Sequence, residues 1–406
     1  MINNGSEMNS HHRNILVFNI IGVFLVLGSI GLTGAKGQFI ERFGHGDTDG
    51  WNAFTGDGNV DISLTASDEY ATIRVDATRD RHNIWWAVIS RAVNSGLNLQ
   101  ELQKADHKLR LEVRVRASHA PRRINLHMFR QGSSDHHQNL MEYDIPDTTN
   151  WHTFSLTPGG LQVQPGDTVF AQLALIDWGK QAFELDVDYI KVSVVNIRQA
   201  GSDKGTPLAY RPYVPELSSF EHQLMVDHDA TVDLHYPETV LATWKAVGRH
   251  DSASVMTVNS SQRAIMRWNL ESFEGLDVKG WSVLELTPYS VLSNESYEYE
   301  ELGKVRVSEI TGGKAGWEEN KVSWSSLARG EPVHEVINPQ MILDVEVEPK
   351  AHEKLYITIP EPVMQRLIDG KSKGVALQPL GPVQASFYES ENGLRQYSPK
   401  LYFNTE

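Results

Sequence analysis

The sequence predicts an all-β protein: two jelly-roll or β-sandwich domains in tandem behind a signal peptide. Three observations predict it. Period-two alternation runs through most of the chain, the turns are rich in Gly, Asn, Asp and Pro, and a proline-rich break lies near the middle. Alternation is clearest in Lys108-Leu109-Arg110-Leu111-Glu112-Val113-Arg114-Val115-Arg116 and in Phe183-Glu184-Leu185-Asp186-Val187-Asp188-Tyr189-Ile190-Lys191-Val192. Apolar side chains there take one face and charges the other, as half-buried antiparallel strands require. Helical period is scarce. Ser95–Lys104 and Glu361–Asp369 supply two or three turns each, without a long apolar stripe.

At the N-terminus, His11, His12 and Arg13 precede an apolar stretch from Ile15 to Leu32, and Thr33-Gly34-Ala35-Lys36-Gly37 follows. A basic start, an apolar run and a small-residue exit describe an export signal over residues 1–37. The run approaches the roughly 18–20 residues of a membrane span, so a retained anchor is the competing reading. Cleavage is favoured because the small residues directly follow the run. The expected location is therefore the bacterial periplasm or the medium, with no membrane attachment after cleavage.

Composition narrows the rest. The 406 residues carry 52 acidic and 37 basic side chains, a formal charge of −15, and no cysteine. No Lys/Arg excess is present to neutralise phosphates, which argues against nucleic acid as a partner. Disulfides, thiolate metal sites, iron–sulfur clusters and cysteine nucleophiles are excluded together. The break at Arg198–Glu216 holds Gly201, Ser202, Gly205, Pro207, Pro212 and Pro215. Residues 198–217 thus read as a linker between modules at 38–197 and 218–406, each of a size for one sandwich.

Chemistry concentrates in the first module. In Arg122-Arg123-Ile124-Asn125-Leu126-His127-Met128-Phe129-Arg130, alternation puts Ile124, Leu126 and Met128 on one face and Arg123, Asn125 and His127 on the other. If Leu140-Met141-Glu142-Tyr143-Asp144 is the adjacent strand, Tyr143 and His136 or His137 face His127. Three readings stay open: a polar sheet face, a sugar-binding face, and an elimination site. For elimination, His127 or His137 is the base, Tyr143 the acid and Arg123 the clamp on a carboxylate. Asn125, His136, Trp86 and Trp178 would contact substrate, with Trp85 and Trp151 as further stacking platforms. A histidine metal site of His127, His136 and His137 is weaker, because adjacent strand residues point apart.

The ends of this module, Phe39-Ile40-Glu41-Arg42-Phe43, Gly50-Trp51 and Asp186-Val187-Asp188-Tyr189-Ile190-Lys191-Val192, resemble the galactose-binding-like jelly-roll carbohydrate-binding modules. That resemblance implies a structural calcium held by Glu41 and Asp188; it implies no organic cofactor. Asn125-Leu126-His127 and Leu140-Met141-Glu142-Tyr143-Asp144-Ile145-Pro146, through Trp151-His152, resemble a bacterial family tied to dehydration of ulvan oligosaccharides.

In the second module, Asp229-Ala230-Thr231-Val232-Asp233, Met266-Arg267-Trp268-Asn269-Leu270, Gly316-Trp317-Glu318-Glu319-Asn320 and Ser398-Pro399-Lys400-Leu401-Tyr402-Phe403 follow an order similar to the DNRLRE-type domain. That likeness implies a jelly roll that binds alginate-like polysaccharide. Val283, Leu286, Val305 and Val307 read as core, and Trp317 and Trp324 as packing rather than a sugar platform. Together the readings anticipate an exported protein acting on uronate-containing algal poly- or oligosaccharides. The first module would be a carbon–oxygen lyase and the second a binding module; the alternative is a non-catalytic tandem carbohydrate-binding protein.

Overall fold

In the computed structural model the described residues are 37–406, apart from 57, 81–84, 134–138, 177–179, 209–213, 243–253, 294–302, 348–352 and 392. The segment expected to be an export signal, residues 1–37, lies outside them save for Gly37. The described residues belong to a single unit. Among the described residues no helix is long and apolar enough to cross a membrane.

The first module is built from β1 (Gln38–Glu41), β2 (Asn52–Gly56), β3 (Asp61–Ala66), β4 (Ala71–Asp76), β5 (Trp86–Ala92), β6 (His107–Ala117), β7 (Arg122–Arg130), β8 (Leu140–Ile145), β9 (His152–Leu156), β10 (Val169–Ile176), β11 (Ala182–Asn196) and β12 (Pro207–Leu208). One sheet runs β3-β4-β11-β6-β9 with β1 also beside β11; the other runs β12-β8-β7-β10-β5-β2. Leu111, Val113 and Val115 of β6 and Leu185, Val187 and Ile190 of β11 join Ile124, Leu126 and Met128 of β7 in one buried cluster between the sheets. The apolar half of each alternating strand thus fills a sandwich, and its charged half faces outward. Of the helical stretch expected at Ser95–Lys104, only a 3-10 turn at Leu99–Gln103 forms.

Part of the segment read as linker is built into this sandwich. Arg110 donates to the carbonyls of Ala200 and Gly201, and Asp203 accepts from Ser155 and Thr157. Pro207–Leu208 then pairs with β8, and Leu208 is buried. A proline is tolerated there because β12 is an edge strand.

The second module contains β13 (His222–Met225), β14 (His228–Asp233), β15 (Val255–Val258), β16 (Gln262–Arg267), β17 (Ser282–Leu286), β18 (Pro288–Ser293), β19 (Lys304–Ile310), α1 (Trp324–Ala328), α2 (Val333–Val336), β20 (Ile337–Val345), β21 (Leu355–Ile359), α3 (Glu361–Ile368), β22 (Val375–Leu380), β23 (Val383–Tyr388) and β24 (Lys400–Phe403). Its sheets run β13-β24-β17-β21, β14-β16-β22-β19-β20 and β15-β23-β18. The five-stranded sheet is buried on both sides. Met266 and Leu377 enter the main core, while Ile265 and Ala376 meet Trp317, Trp324 and Leu327 on the other face. Val283, Leu286, Val305 and Val307 are buried, as expected of core residues. The helix expected at Glu361–Asp369 forms as α3, packing Val363, Met364, Leu367 and Ile368 inward.

Candidate functional site

The outward face of the β8-β7-β10 sheet carries the polar residues singled out in the sequence. β7 pairs with β8 on one side and β10 on the other, setting Asn125 beside Glu142 and His127 beside Gln172. Arg123 reaches Glu142 at 3.0 Å, and His127 Nδ1 lies 2.9 Å from Gln172 Oε1. Arg123, Asn125 and His127 do share one face.

That face is closed. Arg123 is 4 % exposed, Asn125 1 % and His127 2 %. The second module covers part of it: the Arg123 amide donates to Gln340, and Asn338 Nδ2 donates to the Pro121 carbonyl at 3.5 Å. Arg366 of α3 crosses to Asp144 and also binds Glu309 twice, at 2.9 and 2.7 Å. Burial alone would lower the Arg366 pKa, but the Asp144 and Glu309 carboxylates outweigh it and hold the guanidinium firmly charged. Arg122 is buried over the Phe183 ring and donates to Gln181. Its burial lowers the pKa to about 9. On this face Arg123 is buried against Glu142, and Arg122 packs on core Phe183 instead of joining it, so among the described residues the two do not form an open basic cleft.

Tyr143 corrects the expected quartet. It pairs in register with Ile124, so its ring enters the core, and its hydroxyl donates to the Ser155 carbonyl. Burial pushes its pKa well above the usual phenol range. It stands on the opposite face from His127, because neighbours in register share a face and Ile124 is a core residue. His136, His137 and Trp178 lie outside the described residues. Trp86 sits edge-on to Phe54, and Trp85 is fully buried against Phe183.

The carboxylates expected to hold calcium each have a guanidinium. Glu41 pairs with Arg91 and accepts the Arg42 and Phe43 amides, and Asp188 lies 2.6 Å from Arg114. Elsewhere, Asp229, Glu389 and Glu391 bring carboxylate oxygens within 4.8 Å of one another. Burial and the Glu391 and Glu389 charges raise the Asp229 carboxyl well above its usual range, and burial with Glu391 and Glu319 nearby brings Glu389 to about 7.

An open cleft of about 320 Å³ lies on the opposite side of the first sandwich, lined by Glu69, Tyr70, Arg114, Arg116, Trp151 and Asp188. Arg114 and Arg116 come from the charged half of β6, and Asp186 and Asp188 from the neighbouring β11. A bulge between Val187 and Tyr189 shifts the register there. Arg116 binds Asp186 at 2.8 Å, and Arg114 binds Asp188 at 2.6 Å. Both guanidiniums lie over the Trp151 indole, at 4.8 and 5.6 Å from its ring centre. Tyr70 meets Trp151 edge-on at 5.7 Å. Cation–π contacts and ion pairs on both sides fix these side chains in place. Two partly exposed aromatic rings and two hydrogen-bonding ion pairs thus converge in a cleft at the small end of the range for ligand sites, about 300–1,000 Å³.

Of this cleft, the sequence reading singled out Trp151 as a stacking platform and Asp188 as a calcium ligand, and missed Glu69, Tyr70, Arg114 and Arg116. The available signal was the row of charges on β6, which alternation already placed on one face.

No family model matches the sequence, and no curated protein is similar to it. Among solved structures, a family 11 carbohydrate-binding module from Clostridium thermocellum, in complex with a β-1,3-1,4-mixed-linked tetrasaccharide, is similar at 14 % identity and a TM-score of 0.27. That match covers 39 % of this chain and 96 % of the module. The tandem of two family 22 carbohydrate-binding modules of Paenibacillus barcinonensis Xyn10C is similar at 13 % identity and a TM-score of 0.27, over 92 % of this chain and 98 % of its own. Likeness at this level says nothing of what this chain binds.

Proposed function

We propose that this protein is a non-catalytic carbohydrate-binding protein whose recognition site is the open cleft over Trp151. The observation that carries the reading is the convergence of the Trp151 and Tyr70 rings with the Arg114–Asp188 and Arg116–Asp186 pairs in one cleft. A pyranose offers apolar C–H faces, which pack on aromatic rings, and ringed hydroxyls, which both donate and accept. Each guanidinium–carboxylate pair presents a donor and an acceptor side by side, the arrangement that two neighbouring hydroxyls match. The proposal includes export, supported by the basic, apolar and small-residue order of the N-terminus.

The elimination chemistry expected of His127 requires substrate to reach it, and that residue is buried, with Tyr143 turned into the core. Binding is the reading that the geometry favours. The test is retention on gels loaded with a panel of polysaccharides, compared with Trp151→Ala. Retention of the native chain and its loss in the variant support the proposal. Equal retention of both removes the cleft from it, and new absorbance from unsaturated uronates on incubation with ulvan or alginate oligosaccharides would replace binding by elimination.

A further inference from the structure

We infer that the Trp151 cleft takes uncharged sugar residues and discriminates against uronates. The inference rests on the carbohydrate-binding reading and deepens it. It follows from how the cleft's charges are already committed.

Arg114 and Arg116 are the cations of the cleft lining, and each has a carboxylate partner at salt-bridge distance. Asp186 is held on its other side by Thr72 Oγ1 at 2.9 Å, so it is anchored against Arg116. Glu69 and Asp188 are the carboxylates of the lining, and Asp186, outside it, pairs with Arg116. The lining therefore carries no surplus of positive charge, within a chain whose formal charge is −15. A uronate carboxylate entering here must share guanidiniums whose charge Asp186 and Asp188 already balance. It also brings a further negative charge beside Asp188 and Glu69, and like charges repel.

An uncharged vicinal diol meets no such obstacle. One hydroxyl donates to the aspartate while its neighbour accepts from the guanidinium, and the ion pair stays intact between them. Stacking of both guanidiniums on the indole fixes the donors before ligand arrives, which lowers the ordering cost of binding. The Asp186 hydrogen bond also raises the Arg116 pKa.

The test is calorimetric titration of the full chain with neutral oligosaccharides (β-glucan, xylan and galactan series) and with alginate and ulvan oligosaccharides of matching length. The expected result is that a neutral series binds at least about tenfold more tightly than either uronate series. Its affinity should change less than about twofold between about 50 mM and about 500 mM salt. Asp188→Asn frees the Arg114 charge and should narrow or reverse the preference, through weaker neutral and stronger uronate binding. Uronates binding as tightly as neutral sugars, with strong salt dependence, overturn the inference while leaving carbohydrate binding in place. If no glycan of either class binds, the carbohydrate-binding reading fails and the inference with it. The salt dependence of the native chain decides the matter even if Asp188→Asn does not fold.

Discussion

The two outward faces of the first sandwich began as the same kind of sequence and ended as different kinds of surface. On β6, Arg114 and Arg116 alternate with core valines, and on β7, Arg123, Asn125 and His127 alternate with Ile124, Leu126 and Met128. The first set stays at the solvent boundary, where its ion pairs line a cleft. The second set is covered, in part by Gln340, Asn338 and Arg366 of the second module, and its pairs are interior ones. Alternation specifies which residues leave the core of a sandwich. What meets them outside is decided by the packing of another part of the chain.

That contrast can be broken first at Arg366. It is 6 % exposed and serves both Asp144 of the first module and Glu309 of the second. Arg366→Ala leaves two buried carboxylates without their cation and should cost about 3–5 kcal/mol in urea unfolding. A loss below about 1 kcal/mol would show that water reaches this face, and the distinction between the two faces would collapse.

Trp151→Ala comes next. Removing the stacking platform should weaken glycan binding at least about tenfold, or about 1.4 kcal/mol. The thermal midpoint should move far less than in Arg366→Ala. A binding loss accompanied by an equal collapse in stability would assign Trp151 to the scaffold instead.

Glu389 tests how burial beside like charges differs from the paired faces. Burial, with Glu391 and Glu319 adding like charge, raises its pKa from 4.5 to about 7. The folded chain therefore holds this proton more tightly than the unfolded one, so stability falls as pH rises from 4.5 to about 7. Glu389→Gln should flatten that decline and leave the variant more stable than the native chain above pH 7, as read from thermal midpoints across the range. A native profile without the decline would remove the argument.

The smallest effect is expected at Arg74–Glu184, a pair on the open side with side chains 66 % and 46 % exposed. Arg74→Ala should change stability by less than about 0.5–1 kcal/mol, because solvent screens such pairs. A larger loss would mean that the ion pairs on the open face are structural rather than available to ligand.

How much of this was legible in the sequence follows the same division. The strands and their core faces were legible, since Leu111, Val113, Ile124 and Leu126 repeat with the period of an extended chain. The cleft was not, because it needs β11 placed beside β6 and a bulge after Val187 to bring Asp188 to Arg114. Tyr143 shows the finer limit. Strand adjacency was anticipated correctly, but the register that sets it opposite Ile124 puts its ring in the core, and a one-residue slip would have turned it outward. The closure of the β7 face depends on contacts spanning more than two hundred residues, such as Arg366 to Asp144, which no local pattern announces.

The β12 strand has a practical consequence for dissecting the protein. Pro207–Leu208 completes the sheet edge beside β8, and the segment before it is fastened by Arg110, Ser155 and Thr157. A fragment ending at residue 197 would strip that edge, uncover Glu142 and Tyr143, and leave a raw strand free to recruit another chain. A fragment meant to keep that edge must run beyond Leu208, and one ending at residue 197 should aggregate.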